Sequence, residues 1–209
     1  MRSPLDVYAR ALADGGGLHQ IDCSGRTSAL PVHLWTSDEA PGDVGLLDRC
    51  RGPVLDVGCG PGRLARALTA RGIHALGVDI APFAVALARS RGATALERSV
   101  YDRLPGEQHW CTVLLADGNV GIGGDPNRLL SRVRDLLAPD GVLLVEAGAP
   151  GTPSGSVRLR LRDDLGSSEE FAWAHLAVED VVPLGIEAGL FPTEVWQEAG
   201  RWFAALVRR

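Results

Sequence analysis

The chain contains no lysine: all 21 of its basic side chains are arginine. Without a side-chain amine, imine chemistry on the protein and a phosphate loop of the G-x-x-x-x-G-K type are both excluded. Methionine occurs once, at position 1, and asparagine twice, at Asn119 and Asn127. Together with the abundance of Ala, Gly and Arg, this reads as genomic base composition rather than as chemistry. No stretch approaches the roughly 18 apolar residues that span a bilayer, so no membrane segment is expected. The opening residues, MRSPLDVYARALADGGG, carry no long apolar run and no cleavage site, so no secretory leader is expected either. Cysteine is sparse and scattered. Cys23, Cys50, Cys59 and Cys111 form no C-x-x-C pair and no His/Cys cluster, which argues against structural zinc and for reduced thiols in the cytoplasm. Acidic residues outnumber basic ones, 26 to 21, and the net charge of −5 disfavours a sequence-independent clamp on nucleic acid.

What is present fits one globular domain with a short extension. The 209 residues are 45% hydrophobic and 22% charged, enough for a sizeable core. In the middle of the chain, short apolar runs alternate with helix-patterned segments, the pattern of a parallel sheet covered by helices. Strands are expected at Val54–Val57, Ile73–Val78, Ala93–Leu96, Trp110–Ala116 and Val142–Val145, with helices at Gly62–Arg71, Ala81–Arg91 and behind Asp125-Pro126. Pro139-Asp140-Gly141 reads as a turn. Beyond it, Val157, Leu159 and Leu161 alternate with Arg158, Arg160 and Arg162, and Phe171, Trp173 and His175 alternate with alanines, suggesting two paired strands. A helix over Val178–Ala188, weakened by Pro183, and a hairpin around Ala199-Gly200 close the chain. The first 50 residues predict a helix at Leu5–Ala13, a hairpin turning at Ser24-Gly25 and a short helix near Val44–Cys50.

The strongest chemical signal is VLDVGCGPGRL, Val54 to Leu64. A strand runs directly into Gly58-x-Gly60-x-Gly62 and a helix follows. Such glycines permit a sharp turn and close approach of a ligand, and the helix start adds free N–H groups. A dinucleotide fingerprint, G-x-G-x-x-G, would need glycine where Arg63 stands. Asp56, inside the strand, can reach an ammonium group and order the loop, which suits a cofactor with an amino-acid end. Asp79 lies 21 residues beyond Gly58 at the end of the next strand, where a carboxylate accepts from a ribose diol or caps the following helix.

These residues, with GVDI (Gly77–Ile80), LLADG (Leu114–Gly118) and LLAPDGVLLVE (Leu136–Glu146), resemble the class I S-adenosylmethionine-dependent methyltransferases. The resemblance covers Arg51 to about Val145 and the terminal helix and hairpin. It implies an α/β fold with a doubly wound, Rossmann-like seven-stranded sheet, six strands parallel and one antiparallel, over residues 51–209, with residues 1–50 as an extension that covers the cofactor and acceptor site. It implies S-adenosyl-L-methionine as cofactor. The loop Gly58, Cys59, Gly60, Pro61 and Gly62 would line its methionine part and ribose, with Asp56 beneath. Asp79 would hold the ribose diol and Ile80 would meet adenine. Val100, Tyr101 and Asp102 would contact adenine, and Asp117 and Gly118 would sit beside the methionine end and the acceptor.

Methyl transfer from a sulfonium is an in-line displacement, so alignment and desolvation can carry it, and a general base depends on the acceptor. The residues after Leu115 read Asp117-Gly118-Asn119-Val120, not the (Asp/Asn/Ser)-Pro-Pro-aromatic motif of amino-directed nucleic-acid enzymes. Asp117, Asn119 and Asp125 are close in sequence, but Asp125 fits a helix cap, and no metal is expected. The expected activity is methyl transfer to a small-molecule acceptor. The rivals are a catalytically silent cofactor-binding protein and a methyltransferase acting on protein or nucleic acid. No catalytic residue is named. His175 is the favoured base if one exists, the glycine-dense Gly118–Pro126 loop leans to a role near the acceptor, and Tyr8, His33 and Trp35 could shape its pocket.

Overall fold

The computed structural model describes residues 2–209. Helix α1 (Pro4–Asp14) begins where the Ser3 hydroxyl accepts the Leu5 N–H and ends at Gly15 in the left-handed conformation. Strands β1 (Leu18–Asp22) and β2 (Thr27–Leu30) form the hairpin expected around Ser24-Gly25. The short helices α2 (Val32–Trp35) and α3 (Asp43–Asp48) follow, α2 being unforeseen because a single turn carries no periodicity.

The alternating region is as expected, with ends shifted by one or two residues. It comprises β3 (Val54–Val57), α4 (Arg63–Ala70), β4 (Ala75–Asp79), α5 (Pro82–Ser90), β5 (Ala95–Glu97) and β6 (Trp110–Leu115). A 3-10 segment over Asn119–Gly124 leads to α6 (Pro126–Leu136), whose N-cap Asp125 accepts the Arg128 N–H. Strand β7 (Leu137–Ala147) runs straight through Pro139-Asp140-Gly141, with Asp140 at φ +60° and a register shift against β6, rather than starting after a turn. Then come β8 (Gly155–Asp163), β9 (Gly166–Ser167), β10 (Phe171–His175), α7 (Val178–Glu187), β11 (Leu190–Glu198) and β12 (Arg201–Arg208). The last hairpin turns on Ala199 and Gly200, both at positive φ (51° and 80°), the geometry that matches strand twist.

The seven-stranded sheet has the order β11-β12-β7-β6-β3-β4-β5. Only β12 runs against its neighbours, so six strands are parallel. The sheet is apolar on both faces: β3 is buried at all four positions. One face packs on α6 and α7 through Leu129, Leu130, Val133 and Val181, and the other on α3, α4 and α5 through Leu46, Leu64, Leu68 and Val85.

A second sheet of five strands has the order β10-β8-β1-β2, with β9 on β8. The N-terminal hairpin therefore joins residues 155–175, with Gln20 opposite Leu161 and Phe171 opposite Leu159. A third cluster fastens this cap to the main sheet: Val7, Leu12, Leu18 and Leu161 pack with Ala81, the N-cap of α5, and Ala84 within it. Val7 and Leu18 are at most 1% exposed, and burial of each contributes about 1.5–3 kcal/mol.

Candidate functional site

The parallel strands deliver their carboxyl ends to one edge, where α/β sheets bind ligands. Here a cavity of about 620 Å³ opens between the sheet edge and the cap.

The glycine loop forms its floor. Gly58, Gly60 and Gly62 lie at φ +72°, +51° and +81°, which side-chain-bearing residues rarely adopt. A Cβ at Gly58 would lie 2.6 Å from the Asn119 amide nitrogen, which donates 2.9 Å bonds to the Val57 and Gly58 carbonyls. A Cβ at Gly60 would lie 2.9 Å from the Tyr8 hydroxyl, so α1 lays Tyr8 over the loop. Gly62 faces the other way, against the Cβ atoms of Ala88 and Ala93. Asn119 is thus a loop clamp that only the folded chain reveals, since it acts across some 60 residues.

Asp79 uses both carboxylate oxygens locally, accepting the Gly60 N–H at 2.9 Å and the Ala81 N–H at 2.8 Å. It caps the turn before α5 and ties that turn to the glycine loop. Each oxygen retains a lone pair for a ligand hydroxyl. Burial pushes its pKa up, against the pull of those N–H groups.

Asp56 is 2% exposed and its Oδ2 has no hydrogen-bond partner. Burial, and then the neighbouring Asp117, push its pKa up to about 7. A buried carboxyl oxygen without a partner is costly and asks for a donor. Asp56 lines the cavity, so a donor can come from a ligand.

At the end of β6, Asp117 and Gly118 are consecutive left-handed residues, at φ +53° and +81°. Such strain at a non-glycine persists only when the surroundings over-determine it. Asp117 donates its N–H to Glu146 at 2.5 Å, and its carboxylate accepts from Arg63 at 2.5 Å and from Arg201 at 3.3 Å. Arg63 also pairs with Asp43, and Arg201 with Asp43 and Glu146 at 2.8 and 2.7 Å. Five charges from α3, α4, the β6 end, β7 and β12 thus form one network. Burial raises the Asp43 carboxyl, but bonds from Arg63 and Arg201 outweigh it and hold the group below its ordinary value. Arg63, where a dinucleotide site has glycine, is the most buried cation of this network, and Arg201 joins all three of its carboxylates.

Of the residues singled out from the sequence, Asp56, Gly58, Cys59, Gly60, Pro61, Asp79, Ile80, Val100, Tyr101 and Asp117 line the cavity. Gly62, Asp102 and Gly118 do not. Asp102 instead accepts the Ser99 N–H at 3.2 Å and, through its carbonyl, a bond from Arg132. Tyr8 and Trp35 line the cavity, whereas His33 is exposed on α2. His175 lies outside the lining, with burial and Arg26 pushing its pKa down. The glycines of the 118–126 loop are explained mainly by packing. A Cβ at Gly121 would strike the Ala174 carbonyl and Trp173, and one at Gly124 would lie 2.9 Å from the Ala172 Cβ, so β10 rests directly on this backbone.

Residues 54–141 match the family model of a methyltransferase domain. The chain is 33% identical over 96 residues to the ubiquinone biosynthesis O-methyltransferase of Aeromonas salmonicida, a match covering 44% of this chain and 33% of that protein. A solved S-adenosylmethionine-dependent methyltransferase from Bacteroides fragilis, in complex with S-adenosyl-L-homocysteine, superposes with a TM-score of 0.83 over 100% of this chain and 98% of that one, at 21% identity. Residues 54–141 therefore match a methyltransferase domain, and the chain as a whole shares the fold of that solved enzyme. The methyltransferase fold also superposes on an amino pentose methyltransferase from Micromonospora echinaspora, with a TM-score of 0.59 over 79% of this chain and 89% of that one, at 22% identity. The chain spans about a third of the length of the curated relative it matches.

Proposed function

We propose that the protein transfers a methyl group from S-adenosylmethionine to a small-molecule acceptor. One observation carries the reading: the partnerless buried Asp56 oxygen lies beside a glycine cradle that no side chain can fill, with Asp79 at its rim. That donor set fits a ligand with a cationic amino-acid end and a ribose diol. Asp56 would receive the ammonium group, Gly58 to Pro61 the methionine part and ribose, and Asp79 the diol. Ile80, which is 57% exposed, and Val100 with Tyr101 would flank the adenine. When bound, the cofactor supplies an already activated methyl group. The chain's own task is to orient the acceptor and exclude water, and the cap over residues 2–30 and 155–175 does this by roofing the cavity. Solved neighbours include the 1,6-didemethyltoxoflavin-N1-methyltransferase of Burkholderia thailandensis, which supports a small acceptor. The four free cysteines fit a cytoplasmic setting, and no described helix is long and apolar enough to cross a membrane.

Titration with S-adenosylhomocysteine tests the reading. Micromolar binding is expected, and an absence of heat at micromolar protein and ligand would remove the proposal. The Asp56 assignment adds a pH signature. The free carboxyl holds its proton up to about pH 7, while an ammonium partner favours the carboxylate. Binding near neutrality therefore releases a proton, and affinity rises from pH 6 to pH 8. Calorimetry in buffers of different ionisation enthalpy reads that proton, and its absence would overturn the Asp56–ammonium pair.

No histidine lines the cavity among the described residues. An acceptor that needs a proton removed loses it to water or to a carboxylate, phenol or thiol of the lining. His175→Ala is accordingly expected to leave the transfer rate within twofold of the parent. A loss of a hundredfold or more would restore His175 as the base.

A further inference from the structure

The cavity has two unlike halves. The acidic residues Asp56, Asp79 and Asp117 and the arginine Arg63 belong to the seven-stranded half, where they build the glycine floor and the ion network. The facing half comes from α1, α2 and the five-stranded sheet. It presents Tyr8, Trp35, Phe171 and Trp173 with Leu159 and Leu161 between them. The four rings form two edge-to-face pairs, Tyr8 with Trp35 at 5.9 Å and Phe171 with Trp173 at 6.2 Å between centroids. All four are half-buried and border open cavity.

The β8 arginines are on the other side of that sheet. Alternation along β8 sends Leu159 and Leu161 inward, and Arg158 and Arg160 outward to pair with the exposed Glu170. The arginine stripe therefore does not enter the cavity as a clamp for an acidic substrate. Gln20, a polar side chain of this wall, donates to Ser28. Arg98, a further arginine of the lining, follows β5 and donates to the Arg103 carbonyl.

From this division we infer that the acceptor is an uncharged, flat ring compound, bound by aromatic faces rather than by ion pairs. The inference rests on the proposed function. It follows from what each ligand class would lose on entry. A carboxylate or phosphate would give up its hydration against aromatic and aliphatic carbon with no cation of the wall to replace it. A sugar would leave several hydroxyls without partners. A planar ring gives up little and gains offset or edge contacts with the four aromatics.

The test uses the full chain saturated with S-adenosylhomocysteine and titrated calorimetrically with 2-naphthol, 2-naphthoate and glucosamine. The first two share a ring system and differ in charge, and the third is a charged, hydroxylated sugar. 2-Naphthol is expected to bind at least tenfold more tightly than 2-naphthoate, with no detectable binding of glucosamine. Trp173→Ala and Phe171→Leu should each weaken 2-naphthol at least fivefold and leave the S-adenosylhomocysteine affinity within twofold. Phe171→Leu keeps an apolar side chain at the site, so it carries the comparison should Trp173→Ala fail to fold. Equal or tighter binding of 2-naphthoate or glucosamine would overturn the inference. So would unaltered 2-naphthol binding by the variants, or binding of none of the three probes to a complex that does take S-adenosylhomocysteine. Failure to bind S-adenosylhomocysteine would instead remove the underlying function, and the acceptor inference with it.

Discussion

Arg63→Ala is expected to destabilise the protein by about 3–5 kcal/mol, the cost of breaking a buried ion pair by removing one partner. Arg63 is 2% exposed and Asp43 is 1% exposed. Truncation leaves Asp43 with Arg201 as its remaining cation, and Asp117 loses its shorter arginine contact. For a chain of this size the loss corresponds to a melting temperature lower by about 6–20 °C. Thermal and urea melts would read it, and a change below about 1 kcal/mol would show that the network is dispensable. Part of the cost is the charge left behind, so Arg63→Met combined with Asp43→Asn is expected to be less damaging than Arg63→Ala alone. The same network contributes an acid limb. The folded Asp43 carboxyl lies below its ordinary value. Its contribution is therefore present above the unfolded pKa of about 3.9 and is lost as the pH falls through the lower folded value. Without Arg63 that limb should be shallower.

Asp79→Ala is expected to weaken S-adenosylhomocysteine binding at least tenfold while the protein remains folded. The carboxylate would make charge-assisted bonds to the ligand diol, worth about 1.5–3 kcal/mol each. It already holds the Gly60 and Ala81 N–H groups, so its removal also releases the loop that would receive the ligand. Asp79→Asn keeps one acceptor oxygen and should fall between the parent and the alanine variant. Calorimetric titration alongside a melt separates loss of affinity from loss of fold. Unchanged affinity in a folded Asp79→Ala protein would sink the ribose assignment.

The parallel core was legible because its signals are local. Val54–Val57 and Trp110–Leu115 are continuous apolar runs, the helices repeat at 3.6 residues, and the glycines and prolines punctuate both. Departures in this region are also local in cause. Turn-type residues at 139–141 became a bulge because β7 was long enough to hold its pairing with β6 and β12 on either side. The cap was only half legible. The alternation in 157–161 and 171–175 announced strands, but nothing announced that β8 would pair with β1, some 140 residues earlier.

What the amino-acid sequence determined by itself is therefore the floor of the site: a strand, three glycines at required positive φ, a carboxylate within the strand and another at the end of the next. Those features depend on backbone conformations that only glycine adopts readily and on side chains a few residues apart in the chain or in adjacent strands. The roof and the ion network were decided by the tertiary structure. Tyr8 meets Gly60, Asn119 meets Gly58, and Arg201 meets Asp43 and Asp117 only after chain segments separated by some 50 to 160 residues have closed. A residue's type states which bonds it can form, but for a long-range pair the partner is chosen by which elements the buried core brings together. That choice turned Arg63 from a missing glycine into a buried member of an ion network, and it sent the β8 arginines outward and the aromatic rings inward.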